Sequence, residues 1–266
     1  MPERAIGVFD SGVGGLTVLR ELRCQIPAEP LVYLGDTARV PYGTKSSPTV
    51  LRYAHEAARF LLGQQVKLLV IACNTASAVA LDDLAKHYQV PVVGVIEPGA
   101  RRALELTRNN RIGVIGTEGT IRSGAYERAL RAERPDVVVQ VAACPLFVPL
   151  AEEGWACHEV ARLTAREYLA PLLEAGIDTL VLGCTHYPLL KQMLHEVVGP
   201  AVQLVDSAQE TAKVVAFQLK NRQLLHPAVS APSPRYFVTD IPDRFERVGG
   251  AFLGETLLGV TTISLD

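Results

Sequence analysis

The amino-acid sequence predicts an α/β protein made of two similar α/β domains with mainly parallel sheets. Short β-branched runs alternate with amphipathic helical segments along most of the chain, which is typical of parallel sheets. The 266 residues are enough for one large domain or two small ones. Segments in the two halves also resemble each other, which favours two related units over one.

Nine apolar runs predict strands, and the closing segment 257–266 predicts a last strand that pairs back onto a sheet. The nine predicted strands are Ala5–Phe9, Leu31–Leu34, Lys67–Ala72, Val92–Ile96, Arg111–Ile115, Val137–Val141, Thr179–Leu182, Val202–Val205 and Tyr236–Thr239. The clearest helix is predicted to begin with Ser47 as N-cap and Pro48 at the first helical position, and to run to about Gly63. The Pro/Ser-rich stretch 226–234 predicts a surface loop.

The internal repeat consists of a strand, a polar turn and a helix. Residues 4–22 resemble residues 110–130, and residues 68–77 resemble residues 179–188 at nearly the same separation. Duplication explains this, and chance is the alternative, because short strand–turn–helix segments are common. Ligands of parallel sheets bind beyond the carboxyl ends of the strands, so two facing units would share a cleft. The expected domains are residues 1–97 with 208–266, and residues 98–207.

Composition and charge exclude several classes of function. The formal net charge of -2 gives no basic footprint for nucleic acid. The longest apolar runs fall short of the roughly 18 residues that a membrane span needs, and the N-terminal segment lacks the apolar stretch of a signal peptide. Five cysteines without a CxxC pair indicate neither a disulfide framework nor a zinc site. We therefore expect a cytoplasmic protein with reduced thiols, without a metal and without a membrane partner.

Two cysteines occupy matching positions in the two halves. Cys73 and Cys184 each follow an apolar strand and precede a threonine at a predicted helix start. Backbone N–H groups and the helix dipole at such a site are expected to lower the pKa of a thiol. If the two halves face each other, the pair suits a reaction that removes a proton from one face of a carbon and returns one on the other. The alternative is that both are small core residues.

The remaining cysteines and the neighbouring titratable groups have simpler interpretations. Cys24 and Cys144 are predicted to lie in the core, and Cys157 to pack near a helix start. His186 either tunes the Cys184 thiol or is a buried histidine of the core. The acidic pair at 152–153 could equally be a solvated helix start.

Two polar loops follow the first two strands. The turn after Phe9 offers the Asp10 carboxylate, the Ser11 hydroxyl and backbone N–H groups at a helix start, which suit a small zwitterion. The loop 35–46 contains Pro-Tyr-Gly, whose backbone could donate to a carboxylate. Ordinary turn chemistry explains both loops as well.

Six ordered segments together resemble bacterial glutamate racemase, within the aspartate/glutamate racemase superfamily. They are FDSGVGGLTVLREL, YLGDTARVPYGTKS, IACNTASAVAL, IGVIGTEGTIRSGAYERAL, CPLFVPLAEEG and VLGCTHYPLL. His186 and the DSGxGG turn favour the glutamate branch over the aspartate and hydantoin branches. The resemblance implies an isomerase without a cofactor that interconverts L- and D-glutamate in a cleft between two α/β domains and supplies D-glutamate for peptidoglycan. It further implies a homo-oligomer, most simply a dimer.

The resemblance also implies roles for individual residues. Cys73 is expected to take the α-proton of D-glutamate with help from Asp10, and Cys184 that of L-glutamate with help from His186 and Glu152, although Glu153 could replace Glu152. The residues expected to bind substrate are Ser11, Tyr42, Gly43, Asn74, Thr75, Thr117, Thr120 and Thr185. Some family members carry an N-terminal extension linked to activation by a cell-wall precursor, and we do not expect that control here.

Two functions from other classes compete with racemisation. A two-lobed protein could close on an amino acid without turnover, but it would not need paired cysteines at strand ends. A redox sensor would instead form a reversible Cys73–Cys184 disulfide.

Overall fold

The computed structural model describes residues 2–228, 230 and 232–265. Its strands are β1 Ile6–Asp10, β2 Leu31–Gly35, β3 Leu68–Ile71, β4 Val92–Gly94, β5 Arg111–Gly116, β6 Val138–Ala143, β7 Thr179–Gly183, β8 Gln203–Asp206, β9 Arg235–Val238 and β10 Val260–Thr262. Its α-helices are α1 Leu16–Gln25, α2 Ser47–Gly63, α3 Asn74–His87, α4 Ile96–Leu106, α5 Glu118–Ser123, α6 Ala125–Glu133, α7 Phe147–Glu152, α8 Glu159–Glu174, α9 Lys191–Val198, α10 Ser207–Asn221 and α11 Pro242–Leu253. Short 3-10 helices span Tyr42–Thr44 and Tyr187–Leu190.

The strands form two parallel sheets, as the sequence predicts. The first sheet has six strands in the order β10-β9-β2-β1-β3-β4, and the second has four in the order β6-β5-β7-β8. Every strand pair is parallel. Helices cover the sheets and bury their strands, which explains why most strands read as continuous apolar runs.

The two sheets repeat one strand order. The run β2-β1-β3-β4 of the first sheet corresponds to β6-β5-β7-β8 of the second. Ile6 pairs with Leu68 in the first sheet, and Ile112 pairs with Thr179 in the second. The segments that resemble each other in sequence therefore occupy equivalent places, which favours duplication over chance.

Several local predictions need correction. The fourth strand ends at Gly94, because Val95 already has helical backbone angles and Ile96 begins α4. Ser46 is the N-cap of α2, so Ser47 is already helical. The last strand covers Val260–Thr262 only, and position 266 lies outside the described residues. In the loop 226–234 positions 229 and 231 lie outside them too, and its described residues are in neither helix nor strand.

The cysteine predictions hold for one of the three remaining thiols. Cys144 is buried, but Cys24 and Cys157 are exposed. Cys24 lies near the end of α1 on the face turned away from the buried residues of that helix.

A buried ion pair lies at the amino-terminal ends of the strands of the first sheet. The Lys67 ammonium lies 2.5 Å from the Glu29 carboxylate, and both side chains are about 1% exposed. Lys67 also donates to the carbonyls of Pro2 and Leu224, while Glu29 accepts from the backbone N–H of His226. No helix within the described residues is both long enough and apolar enough to span a membrane.

Candidate active site

The strand ends of both sheets converge on one cavity. Ser11 and Cys73 come from turns after β1 and β3, whereas Thr117 and Cys184 come from turns after β5 and β7. The space that these strand ends enclose is about 350 Å³ when the open mouth of the cavity is counted with it. Its lining residues are Ser11, Val40, Pro41, Tyr42, Gly43, Cys73, Asn74, Thr75, Thr117, Thr120, Val148, Gly183, Cys184, Thr185 and His186.

The structure brings the residues singled out in the sequence together. Eleven of the thirteen line this cavity. The other two, Asp10 and Glu152, lie behind the lining, where each hydrogen-bonds a lining residue. Within the described part of the chain, His, Cys, Asp and Glu side chains form no group of three that could hold a metal ion.

Cys73 is a buried thiol at the N-cap of α3. Its Sγ donates to Ser11 Oγ across 3.6 Å. Burial, followed by the negative charge of Asp10, raises the pKa of Cys73 to about 12, against opposing hydrogen bonds from the Ala76 N–H and Ser11. The Ala76 N–H at the helix N-terminus does lower the pKa of Cys73, but burial and the Asp10 charge raise it by more. The prediction of a lowered pKa for this thiol is therefore wrong. The raised pKa disfavours the thiolate form of Cys73 at neutral pH.

Cys184 belongs to a chain of hydrogen-bonding groups. Its Sγ lies 3.8 Å from His186 Nδ1, and His186 Nε2 lies 3.0 Å from Glu152 Oε1. Burial disfavours the charged imidazole, but hydrogen bonds to Cys184 and Glu152 and their charges outweigh it and raise the pKa of His186 to about 10. The segment after Cys184 enters a 3-10 helix rather than the predicted α-helix. The His186 imidazole, whose raised pKa favours its protonated form, thus faces this thiol in place of an α-helix N-terminus.

Glu152 and not Glu153 contacts His186. Glu152 is the last residue of α7, and Glu153 beyond it is exposed. Burial favours the neutral acid of Glu152, but hydrogen bonds and charges of His186 and Arg244 outweigh it and lower its pKa.

Asp10 is fully buried between the two sheets. Its carboxylate accepts from the Gly12 N–H at 2.9 Å and from Thr185 Oγ1 at 3.3 Å. Burial raises the pKa of Asp10, while the nearby His186 charge opposes the shift. Among the described residues no hydrogen bond joins Asp10 to Cys73, so Asp10 acts on that thiol through its charge.

Polar groups that could bind a small zwitterion face the cavity. Thr75 Oγ1 lies 2.9 Å from the Thr117 hydroxyl and 3.1 Å from that of Thr120, so one hydroxyl cluster joins the two sheets. Asn74 Oδ1 accepts from the Tyr126 hydroxyl at 2.7 Å, while its buried Nδ2 has no hydrogen-bond partner among the described residues. An amide N–H in this state is costly unless a ligand accepts its hydrogen bond.

The loop with Tyr42 and Gly43 closes one side of the cavity. The Tyr42 hydroxyl donates to the Asp36 carboxylate, and burial raises the pKa of this phenol. Gly43 lies so close to Thr117 that an added Cβ would be 2.5 Å from the threonine Cβ. The loop of the first sheet therefore packs directly on a turn of the second.

Sequence reasoning missed three residues that support the site. Asp36 holds Tyr42, Tyr126 holds Asn74, and Arg244 donates to Glu152 Oε2 at 2.9 Å. Tyr126 and Arg244 act on residues 52 and 92 positions away along the chain, for which the sequence carries no local signal, whereas Asp36 lies in the same loop as Tyr42.

Comparison with known proteins places the chain in a family. The model of the Asp/Glu/hydantoin racemase family matches residues 6–215. The chain belongs to the Asp/Glu/hydantoin racemase family. It is 60% identical over 266 residues to a glutamate racemase of Geobacter metallireducens, covering 100% of this chain and 98% of the relative.

Solved structures of this racemase family match the fold over the whole chain. A glutamate racemase isoform of Bacillus anthracis has a TM-score of 0.96 at 39% identity, with 100% of this chain and 99% of that one covered. A Francisella tularensis glutamate racemase, solved in complex with D-glutamate, has a TM-score of 0.94 at 39% identity and the same coverage. The resemblance to glutamate racemases stated from the sequence is thereby confirmed.

Proposed function

We propose that this racemase interconverts L-glutamate and D-glutamate by proton transfer between the substrate Cα and two cysteine thiols, without a cofactor. The observation that carries the proposal is the arrangement of Cys73 and Cys184. They follow equivalent strands of two duplicated sheets and line one cavity. A reaction that inverts one carbon needs an acid or base on each of its faces, and two equivalent halves supply one each.

Each thiol has a different assistant. Cys73 takes the α-proton of D-glutamate, with Ser11 in contact and the Asp10 carboxylate nearby. Cys184 takes the α-proton of L-glutamate, with His186 beside its sulfur and Glu152 behind the imidazole. In each direction one sulfur accepts the proton from Cα and the other returns a proton, so the two thiols exchange protonation states.

The chain must stabilise the carbanion that forms at Cα. A thiol is a far stronger acid than an amino-acid Cα–H, so hydrogen-bond donors aimed at the substrate carboxylate have to lower the barrier. The unpaired Asn74 Nδ2 and the hydroxyls of Thr75, Thr117 and Thr120 are donors of this kind. Thr185, with backbone N–H groups of the Ser11 and Gly43 turns, completes the expected set.

The protonation states also constrain the order of events. With the pKa of Cys73 raised to about 12, ionising this thiol at neutral pH is unfavourable. The substrate ammonium supplies a positive charge that offsets the Asp10 charge and favours a thiolate. Substrate binding and thiol ionisation are therefore coupled in this proposal.

The setting of the reaction follows from its product. D-glutamate supplied in the cytoplasm would serve peptidoglycan synthesis, and a homodimer is the simplest assembly for the chain. For the domains we propose residues 1–97 with 208–266, and residues 98–207.

Alanine variants of each cysteine test the proposal. Cys73→Ala and Cys184→Ala are expected to abolish racemisation, followed by circular dichroism of glutamate, while glutamate binding measured by calorimetry persists. Cys144→Ala is the matched control, since it removes a buried thiol that does not line the cavity and should retain racemisation.

Other outcomes would contradict the proposal. Full racemisation by either alanine variant would remove the two-thiol mechanism. Binding of glutamate by the unsubstituted chain without any turnover would indicate a binding protein instead. A Cys73–Cys184 disulfide that forms reversibly and controls binding would indicate a redox sensor.

A further inference from the structure

Arg244 is a cation beside the candidate active site that the proposed reaction does not yet use. Its Nη2 donates to Glu152 Oε2 at 2.9 Å, while the other oxygen of the same carboxylate lies 3.0 Å from His186 Nε2. The same helix places the Phe252 ring edge-on to the His186 imidazole, with ring centroids 5.4 Å apart. Helix α11 therefore supports the group that faces Cys184 at two points.

The contact between Arg244 and Glu152 joins the two sheets. Arg244 lies in the first turn of α11, which follows β9 of the first sheet, and Glu152 ends α7, which follows β6 of the second. A carboxylate that assists chemistry on one sheet is thus held by a cation from the other. Separation of the sheets would break this contact.

The helix dipoles of α11 and α7 do not favour the charges of Arg244 and Glu152. A helix dipole disfavours a cation in the first turn, where Arg244 stands, and an anion at the last residue, where Glu152 stands. The side chain of Arg244 is 50% exposed, so packing does not require it either. The contact with Glu152 accounts for the charge at position 244, and Glu152 in turn is held by His186 as well as by Arg244.

We propose that Arg244 is a positioning residue for proton transfer at Cys184, because it fixes Glu152 and thereby the orientation of His186. The inference rests on the proposed function and deepens it. Arg244 keeps its own proton throughout, and the only bonds that change are those of the proton that moves between Cα and Cys184 Sγ. Without Arg244, the Glu152 side chain can turn toward solvent, and the imidazole loses the partner that aligns Nδ1 with the sulfur.

Arg244→Gln is the variant that tests the inference, and Arg247→Gln is its control. Arg247 lies on the same helix, is exposed and forms no hydrogen bond or ion pair within the described residues. Both variants remove the same charge. Arg244→Lys keeps the charge and should recover part of the lost rate.

The kinetic signature distinguishes positioning at one thiol from a general structural defect. The enantiomers have equal free energy, so kcat/KM must fall equally in both directions, by roughly tenfold for loss of one charged hydrogen bond. The deuterium isotope effects must diverge. With L-[2-²H]glutamate the effect should rise, because Cα–D cleavage at Cys184 becomes slower. With D-[2-²H]glutamate it should fall, because the slow step becomes reprotonation from Cys184.

Three results would overturn the inference. Arg244→Gln could racemise as fast as Arg247→Gln. Arg244→Gln could lose activity while both isotope effects stay unchanged. It could also lose activity together with a lowered melting temperature, with neither recovered by Arg244→Lys. If the unsubstituted chain does not racemise glutamate, the proposed function fails first and the inference fails with it, so the two failures are distinguishable.

Discussion

Gly43→Ala tests whether close contact between the two sheets sets the geometry of the cavity. A Cβ at residue 43 would lie 2.5 Å from Thr117 Cβ and 2.7 Å from its Oγ1. Carbon atoms prefer a separation of about 3.5–4.0 Å, so the two turns must separate by about 1 Å. A Cβ is fixed to the backbone, and the alanine cannot relieve the contact by changing its rotamer. The Thr75–Thr117 hydrogen bond, now 2.9 Å, would then stretch beyond hydrogen-bond distance.

The expected consequence is a loss of rate rather than a loss of fold. A displacement of about 1 Å among reacting groups costs on the order of 100-fold in rate, so kcat/KM should fall by about that factor. Circular dichroism of glutamate gives the rate, and a thermal melt gives the stability. Gly63→Ala is the control, because nothing lies within 4 Å of the added Cβ. If Gly43→Ala is as active as Gly63→Ala, the close contact between Gly43 and Thr117 does not set the geometry of the cavity.

Three further changes have defined outcomes. Glu152→Gln should lower the pKa of His186 from about 10, which an NMR titration of the imidazole would show. A raised histidine pKa stabilises the folded state at low pH, and this contribution is lost as the pH rises from the unfolded pKa to the folded pKa. The free energy of unfolding of the variant should therefore fall less than that of the unsubstituted chain between about pH 6.5 and 10. An unchanged titration would contradict the contact. Tyr126→Phe should raise KM roughly tenfold, because it frees the Asn74 amide that Tyr126 orients; an unaltered KM would argue against that role. Lys67→Met should cost about 3–5 kcal/mol in denaturant unfolding, because the Glu29 carboxylate stays buried without its cation, and adding Glu29→Gln should restore part of the loss. Equal stability of the single variant and the unsubstituted chain would oppose this.

The sequence predicted the framework because local pattern carries it. Strands buried on both faces read as apolar runs, and β3 and β7 are each followed directly by the polar turn that bears a cysteine. Parallel strands bring such turns to the carboxyl edge of each sheet, so a cleft shared by Cys73 and Cys184 was expected on the condition that the two sheets face each other.

The electrostatics and the supporting contacts could not be predicted in this way. The pKa of Cys73 depends on its burial and on the charge of Asp10, and the helix N-terminus alone suggested the opposite shift. Arg244 lies outside the six segments that carry the resemblance, and Tyr126 lies inside one of them, but nothing in the sequence shows that they contact Glu152 and Asn74. Cys24 belongs to an amphipathic helix, where a difference of one position separates the buried face from the exposed one.

The central claim is that two thiols act on opposite faces of the glutamate Cα. The most direct test is α-proton exchange in D₂O, followed by NMR over the first turnovers with each enantiomer of glutamate and of aspartate, without added cofactor. For two thiols on opposite faces, we expect that glutamate alone reacts, that the product enantiomer carries deuterium at Cα, and that the remaining substrate keeps its original Cα hydrogen. Deuterium in the remaining substrate as early as in the product would indicate a single base instead of two, and the absence of exchange would rule out proton transfer at Cα.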